Sequence, residues 1–263
     1  MTASAKHASV LVDQHGDVLW VTINTPDIHN TMTVQMLQQL AAAFVAADAI
    51  KGLRAIVLTG AGTKTFCAGG QLVPSADGTP FEMNPEQVDN PVALLLRAMD
   101  KCTVPIVGRI NGSAFGGGVG LVCACDIAIG VEGSQFGTTE ARVGVFPLMI
   151  LPALMRVIPH RQVIEMCFYA ERFPATRAKE LGLLNHIVLA NELDEAIEGV
   201  VAKLRLNSPT ALKIGRRAIN AVADLSLGEA LDLTQTLLPI LAQSKHAKEG
   251  FRAFGERRAP VWD

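Results

Sequence analysis

The stretch NGSAFGGGVGLVCACD (111–126) places five glycines within nine residues, 112–120, and then turns apolar. A glycine inside regular structure costs roughly 0.5–1 kcal/mol relative to alanine, so so dense a cluster needs a geometric cause. Two causes are available. Either the backbone passes too close to a neighbour to admit a Cβ, or its N–H groups point at a ligand. A second glycine-rich turn, TGAGTKTFCAGGQL (59–72), also follows an apolar run. It is not a dinucleotide fingerprint: Thr65 stands where the third glycine belongs, and no acidic residue follows on a second strand about twenty residues on. A phosphate-binding P-loop fails as well, because Lys64 lacks the preceding glycine.

The rest of the chain supplies the frame for these turns. SVLVDQHGDVLWVTI reads as a hairpin about a His15-Gly16-Asp17 turn. TVQMLQQLAAAFVAADAI has helical spacing with Thr33 as N-cap. LRAIVLTG, VPIVGRI and CDIAIG are short apolar runs of the kind that form buried parallel strands, separated by helical patterns. Such alternation predicts an α/β fold of βαβ units. From Leu151 onward helix follows helix, with three or four amphipathic patterns from Leu193 to Arg257. VPSADGTPFEMNPEQVDNP (73–91), rich in Pro, Asp and Asn, reads as a long loop.

Composition excludes several functions. With 263 residues, 49% of them hydrophobic, the chain can bury a sizeable core. Lys and Arg number 23 against 25 Asp and Glu, with no basic block to follow a phosphate backbone, so nucleic acid is not expected as a partner. The five cysteines sit in apolar runs without metal-type spacing, as in a reducing cytoplasm. No signal peptide or membrane span is expected, and no Ser-His-Asp or His/Cys metal pattern emerges.

FCAGGQL, NGSAFGGGVGLVCACDIAI, SQFGTTEARVGVFP and AKELGLLNHIV, in this order and spacing, resemble the signatures of the enoyl-CoA hydratase/isomerase family, the crotonases. The resemblance covers nearly the whole chain. It implies a crotonase-type spiral of βαβ units over residues 1–205 and a C-terminal helical region, 206–263, that packs on a neighbouring subunit in a homotrimer or a dimer of trimers. It implies an acyl-CoA thioester substrate and no separate cofactor, coenzyme A being part of the substrate. The N–H groups of Gly70 and Gly117 would hold the thioester oxygen, with Ala68, Gly69, Gln71, Leu72, Gly116, Gly120 and Arg257 around the substrate. Fixed N–H donors suit an oxygen that becomes negative as an enolate forms, and glycine allows the close approach.

Hydratases of this family carry two glutamates. One position holds Glu140 here; the other, two residues after the triple glycine, holds Gly120. Glu140 precedes the apolar VGVFPLMILPALM, which would raise its pKa toward the range useful for acid/base work. Hydration of a 2-enoyl-CoA by Glu140 is the first expectation. Isomerisation of a 3-enoyl-CoA by a single carboxylate is the alternative, and an inactive acyl-CoA-binding homologue is a further one. The loop carboxylates Glu82 and Glu86 are candidates to compensate for Gly120. Asp126 reads as a structural carboxylate, His29 and Asp27 as residues of a loop near the coenzyme, and Arg258, like Arg257, as a cation near its nucleotide.

Overall fold

A computed structural model describes residues 8–71 and 89–262 of the chain. The expected hairpin pairs β1 (Val10–His15) antiparallel with β2 (Val18–Ile23). Helix α1 (Val34–Ala47) begins at the expected cap, where the Thr33 hydroxyl accepts the Met36 N–H at 3.2 Å.

A circuit then repeats: a strand in a large sheet, a short strand in a second sheet, a helix. The first comprises β3 (Ala55–Gly60), β4 (Thr65–Cys67) and α2 (Pro91–Lys101). The second is β5 (Ile106–Ile110), β6 (Ser113–Phe115) and α3 (Gly117–Cys123). The third is β7 (Ile127–Val131), β8 (Gln135–Gly137), a 3-10 turn (Glu140–Val143), α4 (Leu151–Val157) and α5 (His160–Tyr169). After β9 (Phe173–Pro174), α6 (Ala175–Glu180) and β10 (His186–Val188) come α7 (Leu193–Arg205), α8 (Pro209–Val222), α9 (Leu227–Ala242) and α10 (Lys245–Glu256). The large sheet runs β1-β2-β3-β5-β7-β10, parallel except for β1; the small one runs β4-β6-β8-β9, parallel except for β9. The predicted βαβ crossovers are therefore present, with a second sheet added whose strands are too short to show any alternation.

The period-2 pattern of the large sheet divides its side chains between two cores. Val18, Ala55, Val57, Val107, Ile129 and Val131 pack under Leu193, Ile197 and Val201 of α7. Ile56, Leu58, Ile106, Ile110 and Ala128 lie in the main core with Met36, Leu40 and Phe44 of α1 and Leu95 and Met99 of α2. Each fully buried large aliphatic contributes about 1.5–3 kcal/mol.

The C-terminal helices are fastened to this chain's own core through Arg216 of α8. Its Nε donates to both Asp126 oxygens, at 2.9 and 2.7 Å, and its terminal nitrogens donate to the carbonyls of Met99, Asp100 and Cys102. The Asp126 Oδ2 also accepts the Ile106 N–H at 2.6 Å, so Asp126 is the structural carboxylate the sequence suggested. By contrast α9 contributes no buried residue. Arg216→Ala removes a buried guanidinium and leaves the partly exposed Asp126 carboxylate and three carbonyls without their donor. It should destabilise the fold by about 2 kcal/mol in urea unfolding, and speed proteolysis within α8–α10. Unchanged stability would show that other contacts carry these helices.

Candidate active site

Strands β4, β6 and β8 are parallel neighbours, with Cys67 beside Ala114 and Ala114 beside Phe136. Whatever follows their C-terminal ends must emerge side by side. Residues 68–71, then 116–117, then Glu140 follow them. Three segments distant in sequence are thus gathered at the end of a parallel sheet where ligands commonly bind.

The first two segments touch. Gly69 (φ 89°) and Gly116 (φ 50°) adopt the left-handed conformation that favours glycine. A Cβ on Gly69 would stand 2.7 Å from the Phe115 carbonyl oxygen and 3.2 Å from the Gly117 nitrogen. Met32 pairs with Gly70 as in a parallel bridge: its N–H donates to the Gly69 carbonyl at 2.8 Å, and its carbonyl accepts the Gln71 N–H at 3.2 Å. That pattern turns the Gly70 N–H away from Met32. Gly117 is the first residue of α3, whose first-turn N–H groups have no partner in the helix. Among the described residues neither amide has a backbone acceptor. Both are free to donate to a ligand.

The opening cluster has both of its possible causes. A Cβ on Gly118 would come within 2.2 Å of the Cys67 carbonyl oxygen, so this glycine lets α3 pack on β4. Gly120 is likewise a packing glycine: a Cβ there would lie 2.3 Å from Ile150 Cγ2. The space left open by the small residue is filled by the chain's own isoleucine.

Glu140 completes the cluster. A Cβ on Gly116 would stand 2.7 Å from its Oε1, while its Oε2 is buried without a hydrogen-bond partner among the described residues. Burial pushes its carboxyl above the ordinary value of 4.5, opposed only by a backbone hydrogen bond. The source differs in part from the apolar wall expected from sequence. Val143 and Leu148 face outward, whereas Ile150 turns in.

Sequence reasoning missed the residues that hold the Gly70 turn. Asn30 is fully buried; its Nδ2 donates to the Ala61 and Thr65 carbonyls at 3.0 and 2.9 Å, and its Oδ1 accepts the Thr25 N–H at 3.0 Å. Next to it, the His29 carbonyl accepts the Ala68 N–H at 3.1 Å. Only a polar residue in a loop was legible there, since the partners come from other elements. Gln71 is exposed beside the cluster. Arg257, exposed at the C-terminal cap of α10, lies on a helix that packs against α8 and α9 and is not part of the cluster. Arg258 is tied to Glu249 and Glu256 instead. Leu72, Glu82 and Glu86 lie outside the described residues.

The arrangement can stabilise negative charge on an oxygen with two N–H donors and move a proton with one buried carboxyl. Holding that carboxyl ionised has a stability cost. The cost is absent below pH 4.5, where folded and unfolded chains are both protonated, and grows as pH rises toward the folded-state value. Glu140→Gln should therefore match or exceed the parent's Tm at pH 7, and its advantage should shrink on acidification. A Gln variant less stable at pH 7 than at pH 4, relative to parent, would contradict this.

Comparison with known proteins identifies the family and the fold. The family model "Enoyl-CoA hydratase/isomerase" matches residues 13–263. An (E)-benzylidenesuccinyl-CoA hydratase of Thauera aromatica is 30% identical over 260 residues, covering 96% of this chain and 98% of the relative. Enoyl-CoA hydratase EchA19 of Mycobacterium tuberculosis is 30% identical over 258 residues, covering 95% and 94%. The crystal structure of an enoyl-CoA hydratase of Mycobacterium smegmatis superposes with a TM-score of 0.88 at 28% identity, covering 97% of this chain and 98% of that one. With its crotonase fold and its matched length, the chain belongs to the enoyl-CoA hydratase/isomerase family.

Proposed function

We propose that this protein hydrates a 2-enoyl-CoA, or dehydrates the corresponding 3-hydroxyacyl-CoA, with Glu140 as its single acid/base. The observation that carries the reading is the buried Glu140 Oε2 near two glycine N–H groups, all three without a hydrogen-bond partner among the described residues. The thioester oxygen accepts the N–H groups of Gly70 and Gly117. As water attacks C3, charge moves onto that oxygen, and each donor lowers the barrier by a few kcal/mol (~3). Glu140 takes a proton from the attacking water and returns one to C2, so water is added across the double bond and the carboxylate is regenerated. Ala68, Gly69, Gln71 and Gly116 shape the backbone around the thioester. Coenzyme A enters as part of the substrate, and the reaction as written uses no other cofactor. Relatives that are named hydratases support this choice.

A second reading is isomerisation of a 3-enoyl-CoA to the 2-enoyl isomer, one carboxyl carrying one proton from C2 to C4. The filling of the Gly120 space by Ile150 favours it, because no second protein carboxylate can stand there to hold a water.

The exposed apolar faces of α9 and α10, with Phe251 80% and Phe254 85% exposed, support a homotrimer or hexamer in which residues 206–263 form the contact. In such an assembly Arg257 would meet the coenzyme nucleotide. Sedimentation should give three or six times 28.0 kDa; a monomer would refute this.

Incubation with crotonyl-CoA, a longer 2-enoyl-CoA and a 3-enoyl-CoA, read by mass, separates the reactions. A gain of one water means hydration, and an isomer of unchanged mass means isomerisation. Binding of coenzyme A esters without any turnover would defeat both. Glu140→Gln should lose about 10²-fold in rate or more. Gly117→Pro should lose about 10²-fold because it removes one donor at a helix position that tolerates proline, whereas Gly117→Ala keeps the N–H and more of the activity. Equal rates in the Pro and Ala variants would remove Gly117 from the oxyanion site.

A further inference from the structure

Gly116 and Gly120 stand one helical turn apart, the Gly120 N–H bonding the Gly116 carbonyl at 3.3 Å. Over Gly116 lies the Glu140 carboxyl; over Gly120 lies Ile150, a buried residue at the N-terminal cap of α4. The chain joins them directly, since the 3-10 turn that starts with Glu140 leads through residues 144–149 to Ile150. One segment thus covers two successive turns of α3, first with a carboxyl and then with a branched hydrocarbon.

The fit at the second turn is exclusive. A Cβ on Gly120 would meet Ile150 Cγ2 at 2.3 Å and Ile150 Cβ at 2.7 Å, separations that non-bonded carbons do not adopt. The nearer atom belongs to a β-branched side chain with restricted χ1, and the other is fixed to the backbone, so rotamer change alone cannot clear the space. Contrast Gly117, where a Cβ would meet Met32 Sδ, on a flexible chain that can move.

We infer that Ile150 is a specificity-determining residue: interlocked with Gly120, it bars any side chain from that turn of α3, so that no second carboxylate can be presented from there beside Glu140. The inference rests on the reading of Glu140 as the acid/base. A water at this site then has no carboxyl partner from α3, and polar groups of the substrate become the natural source of its further partners. A proton moving between two carbons needs no second partner. Ile150 therefore disfavours hydration of a simple, unfunctionalised enoyl chain and reserves it for a chain whose own polar groups help to hold the water.

The interlock is tested by stability and the bias by products. Gly120→Ala should lower Tm by about 5 °C or more in the parent background, as overpacking does, and by much less when Ile150 is also Gly, which removes both clashing carbons. An equal effect of Gly120→Ala in the two backgrounds, or none in the parent, overturns the interlock without any reference to activity. Gly120→Glu with Ile150→Gly then places a second carboxylate beside Glu140. The ratio of hydrated to isomerised product from crotonyl-CoA and a 3-enoyl-CoA should rise about tenfold or more relative to Ile150→Gly alone, the gain typical of a positioned acid/base group. An unchanged ratio overturns the specificity role. If the parent turns over no enoyl-CoA, the acid/base reading itself fails, while the Tm comparison still decides the interlock.

Discussion

The contact on which the site depends is the approach of two glycine turns to less than the distance a side chain would allow. Gly69 leans on the carbonyl of Phe115 and the nitrogen of Gly117, and Gly118 lies against the carbonyl of Cys67. These approaches follow from the small parallel sheet, which brings the ends of β4 and β6 together. A Cβ at Gly69 or Gly118 would force the turns apart. The spacing of the Gly70 and Gly117 amides would then change, and donors held at a changed spacing would serve a single oxygen less well. The His29 carbonyl and Met32 hold the outer turn in place from the other side, and Asn30 ties down the chain that leads into β4.

The second constraint is electrostatic. A carboxyl with a buried, unsatisfied oxygen is unfavourable in a folded chain, and this chain keeps one next to the glycine turns. The same desolvation that raises the Glu140 pKa brings its proton affinity nearer to neutral pH, where a group can both take and give a proton. Stability surrendered at the site is recovered elsewhere, in the two cores of the large sheet and in the Arg216 anchor. The Ile150–Gly120 contact belongs to both accounts, because it adds packing and also determines which groups can stand beside Glu140.

Much of this was legible in the residues. The buried strands β3, β5 and β7 appear as continuous apolar runs, and Thr33 marks the start of α1. The glycine turns and Glu140 stand out by motif. What could not be read has physical reasons. Strands of two or three residues, such as β6 and β8, leave no periodic trace, so the second sheet was invisible although it aligns the site. Asn30 looks like any loop polar residue until its partners from other elements are known. Gly120 read only as a glycine where a glutamate is found in hydratases, and what lies over it was not legible, because the occupant, Ile150, is thirty positions away in the sequence. The apolar run after Glu140 suggested a uniform wall, but the turn at Glu140–Val143 sends some of those side chains outward.

The central claim is that Glu140 exchanges a proton at the carbon next to a thioester whose oxygen is held by Gly70 and Gly117. Its most direct test uses a saturated acyl-CoA such as butyryl-CoA, which can form an enolate but can undergo neither hydration nor isomerisation. Wash-out of its C2 protons in D2O, followed by NMR, reports enolate formation alone. The account predicts catalysed exchange by the parent and a loss of about 10²-fold or more in Glu140→Gln, with binding of the thioester retained. Exchange by Glu140→Gln at the parental rate would contradict it.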